Sequence, residues 1–231
     1  MSLYNAVYEA PTLLPEFSYR QLHSYANALN FAENPSFVFN IPEEKEEIDE
    51  SVRLSKTVII KDHQLDAFIT EKLLPRFMMA HPELIMKPAR DYVTFIQYQE
   101  GGFFDWHTDF EKVAIHGPEP FKEMHLLFCI EGAEEGGDLL IKGVNSFHPP
   151  REQREDIEHV MMTPNHAVIF DKTLKHSGAK VIKGRKTILA IDVFVTTTAG
   201  SSDVNAYEMD QFGKFEAGEI NIFTPSSRWA S

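Results

Sequence analysis

Arg185-Lys186-Thr187-Ile188-Leu189-Ala190-Ile191-Asp192-Val193-Phe194-Val195-Thr196-Thr197 reads as one long β-strand. In an extended chain, residues two apart share a face. Arg185 therefore sides with Thr187, Leu189, Ile191, Val193 and Val195, and Lys186 with Ile188, Ala190, Asp192, Phe194 and Thr196. The Arg185 face is the more apolar, which assigns it to the inside of a β domain. An arginine at the mouth of an apolar interior needs an anionic partner, because an unpaired buried charge is costly. Its planar fork suits a carboxylate held by two hydrogen bonds; the alternative is a surface arginine at the strand end. Immediately upstream, His176-Ser177-Gly178-Ala179-Lys180-Val181-Ile182-Lys183-Gly184 reads as a hairpin that turns at Lys183-Gly184 and feeds this strand.

The same type of pattern extends back to Arg90. Short β-rich runs are expected over Tyr92–Tyr98, Met124–Ile130, Asp138–Lys142, Ile157–Met162, Ala167–Phe170 and Ala179–Ile182. Several short strands separated by Gly, Pro and Asn predict a sandwich or barrel. Before Arg90 the periodicity is helical. One helix is expected over Glu16–Ala32 and a second over His63–Ala80, with Asp62 as its N-cap. Helices first and strands after suggest a mainly β chain, a jelly roll buttressed on one side by helices. The expected organisation is a single domain over 1–231: a helical part to about residue 89, a core over about 90–198, and an extension over 199–231. The acidic run from Glu43 to Glu50 reads as a solvated loop. Tyr207, Phe212, Phe215, Ile222, Phe223 and Trp229 lie in the extension, which no pattern places.

Composition narrows the function classes. The chain of 231 residues carries a net charge of −13, which repels phosphate backbones and disfavours a nucleic-acid partner. Cys129 is the single cysteine, excluding an intrachain disulfide framework or a thiolate-rich zinc site. No signal-peptide pattern and no apolar stretch of membrane-spanning length is found, so an intracellular, cytoplasmic protein with no membrane partner is expected. No oligomeric state follows from the sequence.

The chemistry concentrates in Tyr98-Gln99-Glu100-Gly101-Gly102-Phe103-Phe104-Asp105-Trp106-His107-Thr108-Asp109. His107 and Asp109 are two apart and can offer an imidazole and a carboxylate to one ion. A second histidine from a distant strand would complete a two-histidine, one-carboxylate facial set, the arrangement of non-haem iron(II) oxygenases. His23, His63, His81, His116, His148, His159 and His166 read as surface or satisfied histidines. His125 lies on a strand face with Leu127 and Cys129. His176 stands out through Arg185, nine residues later.

Taken in order, Tyr98-x-x-Gly101-x-x-Phe104-x-x-His107-x-Asp109, Gly136-Gly137-Asp138, and His176 followed by Arg185 resemble the prolyl-4-hydroxylase-like branch of the 2-oxoglutarate and iron(II)-dependent dioxygenases. The likeness runs from about Arg90 to Thr197, roughly half of the chain. It implies a double-stranded β-helix with iron(II) on His107, Asp109 and His176. It further implies 2-oxoglutarate as cosubstrate, its distal carboxylate on Arg185 with Tyr98 lining the pocket, and dioxygen as co-reactant. Ascorbate is a compatible accessory reductant. Relatives carry a second cosubstrate tyrosine on the strand corresponding to Met124–Ile130; here His125 is the candidate for that role.

The implied reaction is hydroxylation of a C–H bond in a peptide or protein, of the prolyl-4-hydroxylase type. The alternatives are a dioxygenase acting on a small molecule or nucleic-acid base, and a catalytically silent jelly-roll binding module. Long loops over Glu33–Ser55, Glu111–Lys122 and Gly143–Asp156 offer material for a substrate groove.

Overall fold

Antiparallel pairing builds two main sheets in the computed structural model, which describes residues 3, 6–40, 45–109, 121–142 and 157–198. The elements before residue 90 are β1 (Val7–Ala10), α1 (Glu16–Asn27), β2 (Val38–Asn40), β3 (Lys45–Glu47), β4 (Arg53–Leu54), β5 (Lys56–Ile60), α2 (His63–Phe68), a π-turn (Ile69–Leu73), α3 (Leu74–Ala80) and β6 (Leu84–Pro88). Those after it are β7 (Val93–Tyr98), β8 (Phe103–His107), β9 (Lys122–Glu131), β10 (Glu135–Gly136), β11 (Leu139–Lys142), β12 (Ile157–Val160), β13 (Ala167–Asp171), β14 (Lys175–Gly178), β15 (Val181–Lys183) and β16 (Lys186–Thr197).

The larger sheet runs β1-β13-β9-β16-β7-β5, with β6 pairing the far half of β16. The smaller runs β12-β11-β14-β8-β4, while β10 pairs β15 and β2 pairs β3. This mainly β, antiparallel two-sheet arrangement is the expected jelly roll. Its layers follow from strand alternation. On β9, Met124, Leu126, Phe128 and Ile130 join Leu22, Tyr25, Phe68 and Phe77 of the helices in one core. Leu127 and Cys129, between them, join Leu139, Ile141, Val181, Ile188 and Ala190 in a second core between the sheets. Each fully buried Leu, Ile or Phe contributes about 1.5–3 kcal/mol.

The larger sheet is thus covered on both faces, and this reverses the expected sidedness of the last strand. Leu189, Ile191, Val193 and Val195 pack on the helices. Lys186, Ile188, Ala190 and Asp192 line the cavity between the sheets. The more apolar face marks the helix side, because the opposite face carries the polar groups of a site. The expected hairpin at Lys183-Gly184 is also corrected. β15 pairs with β10 rather than β16, so the chain crosses there from the β10–β15 ladder into the larger sheet.

Asp62 caps α2 as expected, its carboxylate accepting from the N–H groups of Gln64 and Leu65. The helix expected over His63–Ala80 holds as one helical stretch but widens at Ile69–Leu73. Pro75 lacks the N–H that would bond the fourth carbonyl back, and its ring crowds that turn. α1 ends at Asn27 rather than Ala32, and the part before residue 90 supplies strands to both sheets as well as helices. Within the acidic run, Lys45–Glu47 forms a short strand against Val38–Asn40. The extension 199–231, His116 and His148, most of the loops 111–122 and 143–156, and residues 41–44 lie outside the described residues. Among the described residues, no helix is long and apolar enough to cross a membrane.

Candidate metal and cosubstrate site

Strand register brings the chemistry together. β14 pairs β8 with His176 directly opposite His107, and the register shifts between His176 and Gly178. The Ser177 hydroxyl donates to the Phe104 carbonyl at 2.8 Å and holds this irregular ladder closed. Just past β8, the Asp109 N–H donates to the Lys172 carbonyl at 3.2 Å, turning the carboxylate back toward the two imidazoles. Gly102, in the turn before β8, has no room for a side chain: a Cβ there would lie 2.8 Å from the Gln99 carbonyl oxygen and 2.9 Å from that of Leu54.

His107 Nε2 lies 3.6 Å from Asp109 Oδ1, and His176 Nε2 lies 3.4 Å from Asp109 Oδ2. One donor atom from each of the three residues falls within 4.8 Å of the others, the one such grouping found among the described residues. Both imidazoles are oriented from behind. His107 Nδ1–H donates to the Asp105 carbonyl at 2.7 Å, and His176 Nδ1–H to the Leu174 carbonyl at 3.0 Å. A carbonyl only accepts, so each Nδ1 carries the proton and each Nε2 turns a lone pair toward Asp109. Ring contacts fix the planes: His107 stacks on Phe104 at 3.5 Å, and Phe170 meets His176 edge-on at 4.7 Å.

The electrostatics suit a cation. Burial, then the neighbouring His176, pushes the His107 pKa down to about 4, against the pull of Asp109. Burial works against the Asp109 anion, yet His125, His176 and His107 together hold its carboxyl well below the usual range. At neutral pH this is a neutral imidazole beside a carboxylate anion, the protonation states that metal ligation requires. Ligand atoms about 2.1 Å from a first-row ion and at right angles lie about 3 Å apart, so the observed spacings need only a small inward movement.

The three groups open onto a cavity of about 880 Å³ between the sheets. At the β16–β7 end of it Lys186 stands directly opposite Tyr98. Lys186 is 3% exposed, donates to the Gly137 carbonyl at 2.6 Å, and sits 4.7 Å over the Tyr98 ring. Among the described residues no ion pair to a carboxylate is found for its ammonium. Burial pushes its pKa down to about 8. Gly136 makes this corner: its φ is +74°, and a Cβ there would collide with the Lys180 carbonyl oxygen.

The sequence-based candidates separate accordingly. His107, Asp109 and His176 come together, and Tyr98 lines the same cavity. Arg185 does not face the cavity. It lies outside β16, its fork holding the Glu131 carboxylate at 2.7 and 2.9 Å, because that face of the larger sheet turns toward α1. Lys186 takes the inward place. Its signal was available in the alternation, on the face that also carries Asp192. His125 lines the cavity but pairs in register with Asp192, six residues along β16 from Lys186, or about 20 Å of strand. It therefore does not stand beside Tyr98. Its Nδ1–H donates to Asp192 Oδ1 at 2.9 Å. Nothing in the sequence pattern pointed to Lys172 as part of this wall.

A jelly roll with two histidines and a carboxylate converging on an inter-sheet cavity defines the class of non-haem metal oxygenase folds. Residues 93–191, which include the proposed site residues, match the model of the 2OG-Fe(II) oxygenase superfamily. That superfamily uses iron(II), 2-oxoglutarate and dioxygen. An uncharacterized protein of fowlpox virus is 28% identical over 131 residues, 57% of this chain. The match spans about a quarter (27%) of the length of that curated relative.

Solved structures share the fold. A prolyl-4-hydroxylase of Pseudomonas putida matches with a TM-score of 0.53 and 14% identity, over 83% of this chain and 92% of that one. A prolyl hydroxylase of Trichoplax adhaerens, in complex with a hypoxia inducible factor peptide fragment, gives 0.55 and 13%, over 82% and 84%. The carbocyclase SnoK of nogalamycin biosynthesis gives 0.57 and 10%, over 93% and 90%.

Proposed function

We propose that the protein is an iron(II)- and 2-oxoglutarate-dependent dioxygenase that hydroxylates a C–H bond in a peptide, as prolyl-4-hydroxylases do. The observation that carries this reading is the buried Lys186 ammonium, without a carboxylate partner among the described residues, in the same cavity as His107, Asp109 and His176. A buried cation without an anion is costly, and a dicarboxylate spanning from the metal to Lys186 supplies the missing charge. The lysine replaces Arg185 in the expected role, while Tyr98 keeps its own.

In this reading His107, Asp109 and His176 hold the metal on one face and leave its other positions open. Lys186 and Tyr98 fix the far carboxylate of the cosubstrate. Ile96, Leu127, Leu139 and Ile188 line the space between and keep water out. Iron(II) with 2-oxoglutarate and dioxygen supplies the oxidising power: R–H, dioxygen and 2-oxoglutarate give R–OH, succinate and carbon dioxide. The peptide class is supported by fold likeness to the two prolyl hydroxylases.

The test is succinate formation from 2-oxoglutarate with iron(II), alone and with proline-containing peptides, followed by mass analysis of the peptides. A gain of one oxygen atom on proline is expected. Succinate formation stimulated only by small non-peptide compounds would move the reading to a small-molecule oxygenase.

A further inference from the structure

The ligand carboxylate Asp109 lies in a circuit of four residues, two on strands and two just past strand ends. Its own N–H donates to the carbonyl of Lys172, just beyond β13, at 3.2 Å. The Lys172 ammonium reaches forward 3.1 Å to Asp192 Oδ1 on β16. That same oxygen accepts from His125 Nδ1–H on β9 at 2.9 Å. The other nitrogen of the ring, His125 Nε2, then faces Asp109 Oδ2 at 3.9 Å and closes the loop. The four side chains are only 14–26% exposed, so the circuit sits largely out of water.

Its corners are braced from outside. Lys172 also donates to Glu123 at 2.9 Å, and Arg90 donates to the same Glu123 oxygen at 2.9 Å. The His125 ring is further set by an edge-on contact with Phe170 at 5.7 Å, whose other neighbour is His176. His125 therefore has one nitrogen anchored on a buried carboxylate and the other directed at the metal-ligand carboxylate. It stands about 20 Å of strand away from the Lys186 end, where the cosubstrate's far carboxylate belongs.

We propose that His125 is a positioning residue for Asp109, held in place by Asp192 and Lys172, and that it fixes which oxygen of Asp109 the metal receives. A carboxylate on a single ligating oxygen can rotate or bind through both oxygens, and a ring held against it restrains that freedom. His107 and His176 have their own orienting partners in the Asp105 and Leu174 carbonyls. The circuit gives the third ligand an equivalent. This inference rests on the reading of His107, Asp109 and His176 as the metal ligands.

The test titrates the full-length chain with Co(II) in the absence of 2-oxoglutarate, following the visible absorption of the bound ion and its dissociation constant. His125→Phe keeps a ring of similar shape and removes both nitrogens; the dissociation constant should rise about 10–100-fold, with altered visible bands. His125→Gln keeps a donor where Nε2 stood and should recover most of the affinity. Asp192→Asn leaves His125 in place but unanchored, and should raise the constant about tenfold; it also serves if His125→Phe does not fold. Wild type that binds Co(II) together with a folded His125→Phe or Asp192→Asn variant of equal affinity and unaltered spectrum overturns the positioning role alone. Wild type that binds no Co(II) overturns the ligand set and the positioning role together.

Discussion

The Lys186 ammonium lies 4.7 Å above the ring of Tyr98, while Arg185, one residue earlier, points away and grips Glu131. These adjacent cations should respond oppositely to removal. Lys186→Met should weaken 2-oxoglutarate binding by at least two orders of magnitude, corresponding to roughly 3 kcal/mol for a buried charge pair. Arg185→Ala removes a pair whose side chains are 37% and 29% exposed, so it should cost under about 1 kcal/mol of stability. Its 2-oxoglutarate affinity should stay within about twofold of wild type. Calorimetric titration of the Mn(II)-loaded protein under nitrogen measures both; the reverse ranking would restore Arg185 as the anchor.

The burial of Lys186 also predicts a pH dependence. With its folded pKa near 8, the ammonium is present below that pH and lost above it. Affinity for 2-oxoglutarate should therefore hold between pH 6.5 and 7.5 and fall about tenfold or more by pH 9.5. Stability moves the other way. Between about 8 and the unfolded value of about 10.4, the unfolded chain retains a proton that the folded protein has released, so unfolding becomes harder as pH rises through that window. Urea melts at pH 8 and pH 10 should show this increment in wild type and lack it in Lys186→Met.

Metal binding should be readable as thermal stabilisation. An ion that binds the folded state at a hundred times its dissociation constant adds about 2.7 kcal/mol. Mn(II) should raise the melting temperature of wild type by several degrees, and His107→Ala and His176→Ala should both abolish the shift. A shift that survives either substitution would place the ion elsewhere.

Gly136 links the loop geometry to the Lys186 end of the cavity. A Gly136→Ala change combines a positive φ of +74° with a collision against the Lys180 carbonyl. A cost of about 1–3 kcal/mol is expected. Because the adjacent Gly137 carbonyl holds the Lys186 ammonium, 2-oxoglutarate affinity should fall as well. Denaturant melts and calorimetry on the same variant test the coupling; lost stability with unchanged affinity would separate the two.

What the sequence made legible followed physical rules that act locally. His107 and Asp109 were readable from the two-residue period of an extended chain, and Asp62 from the capping chemistry of helix starts. The exchange of Arg185 for Lys186 has a structural cause. Ranking faces by hydrophobicity finds the core, but the larger sheet has a core on each side, and the site occupies the less apolar one. β1, β4, β5 and β6 were missed because they are two to five residues long and embedded among helical signals. The place of His125 depends on its register with Asp192, a pairing 67 residues apart in the chain that no local pattern encodes.

The division of labour between the sheets has one more consequence. The two histidines belong to β8 and β14 of the smaller sheet, whereas Lys186 belongs to β16 of the larger. Packed sheets lie about 10 Å apart, and here that spacing is held by Ile141, Leu127 and Ile188 between them. If Lys186 anchors the cosubstrate as proposed, the inter-sheet gap acts as a caliper on its length. On the proposed reading a five-carbon dicarboxylate is the expected cosubstrate, with the four-carbon oxaloacetate and the six-carbon 2-oxoadipate expected to support less succinate-type product formation. Selectivity for cosubstrate length would thus be written into the hydrophobic filling of the barrel, in side chains that touch neither the metal nor the charge.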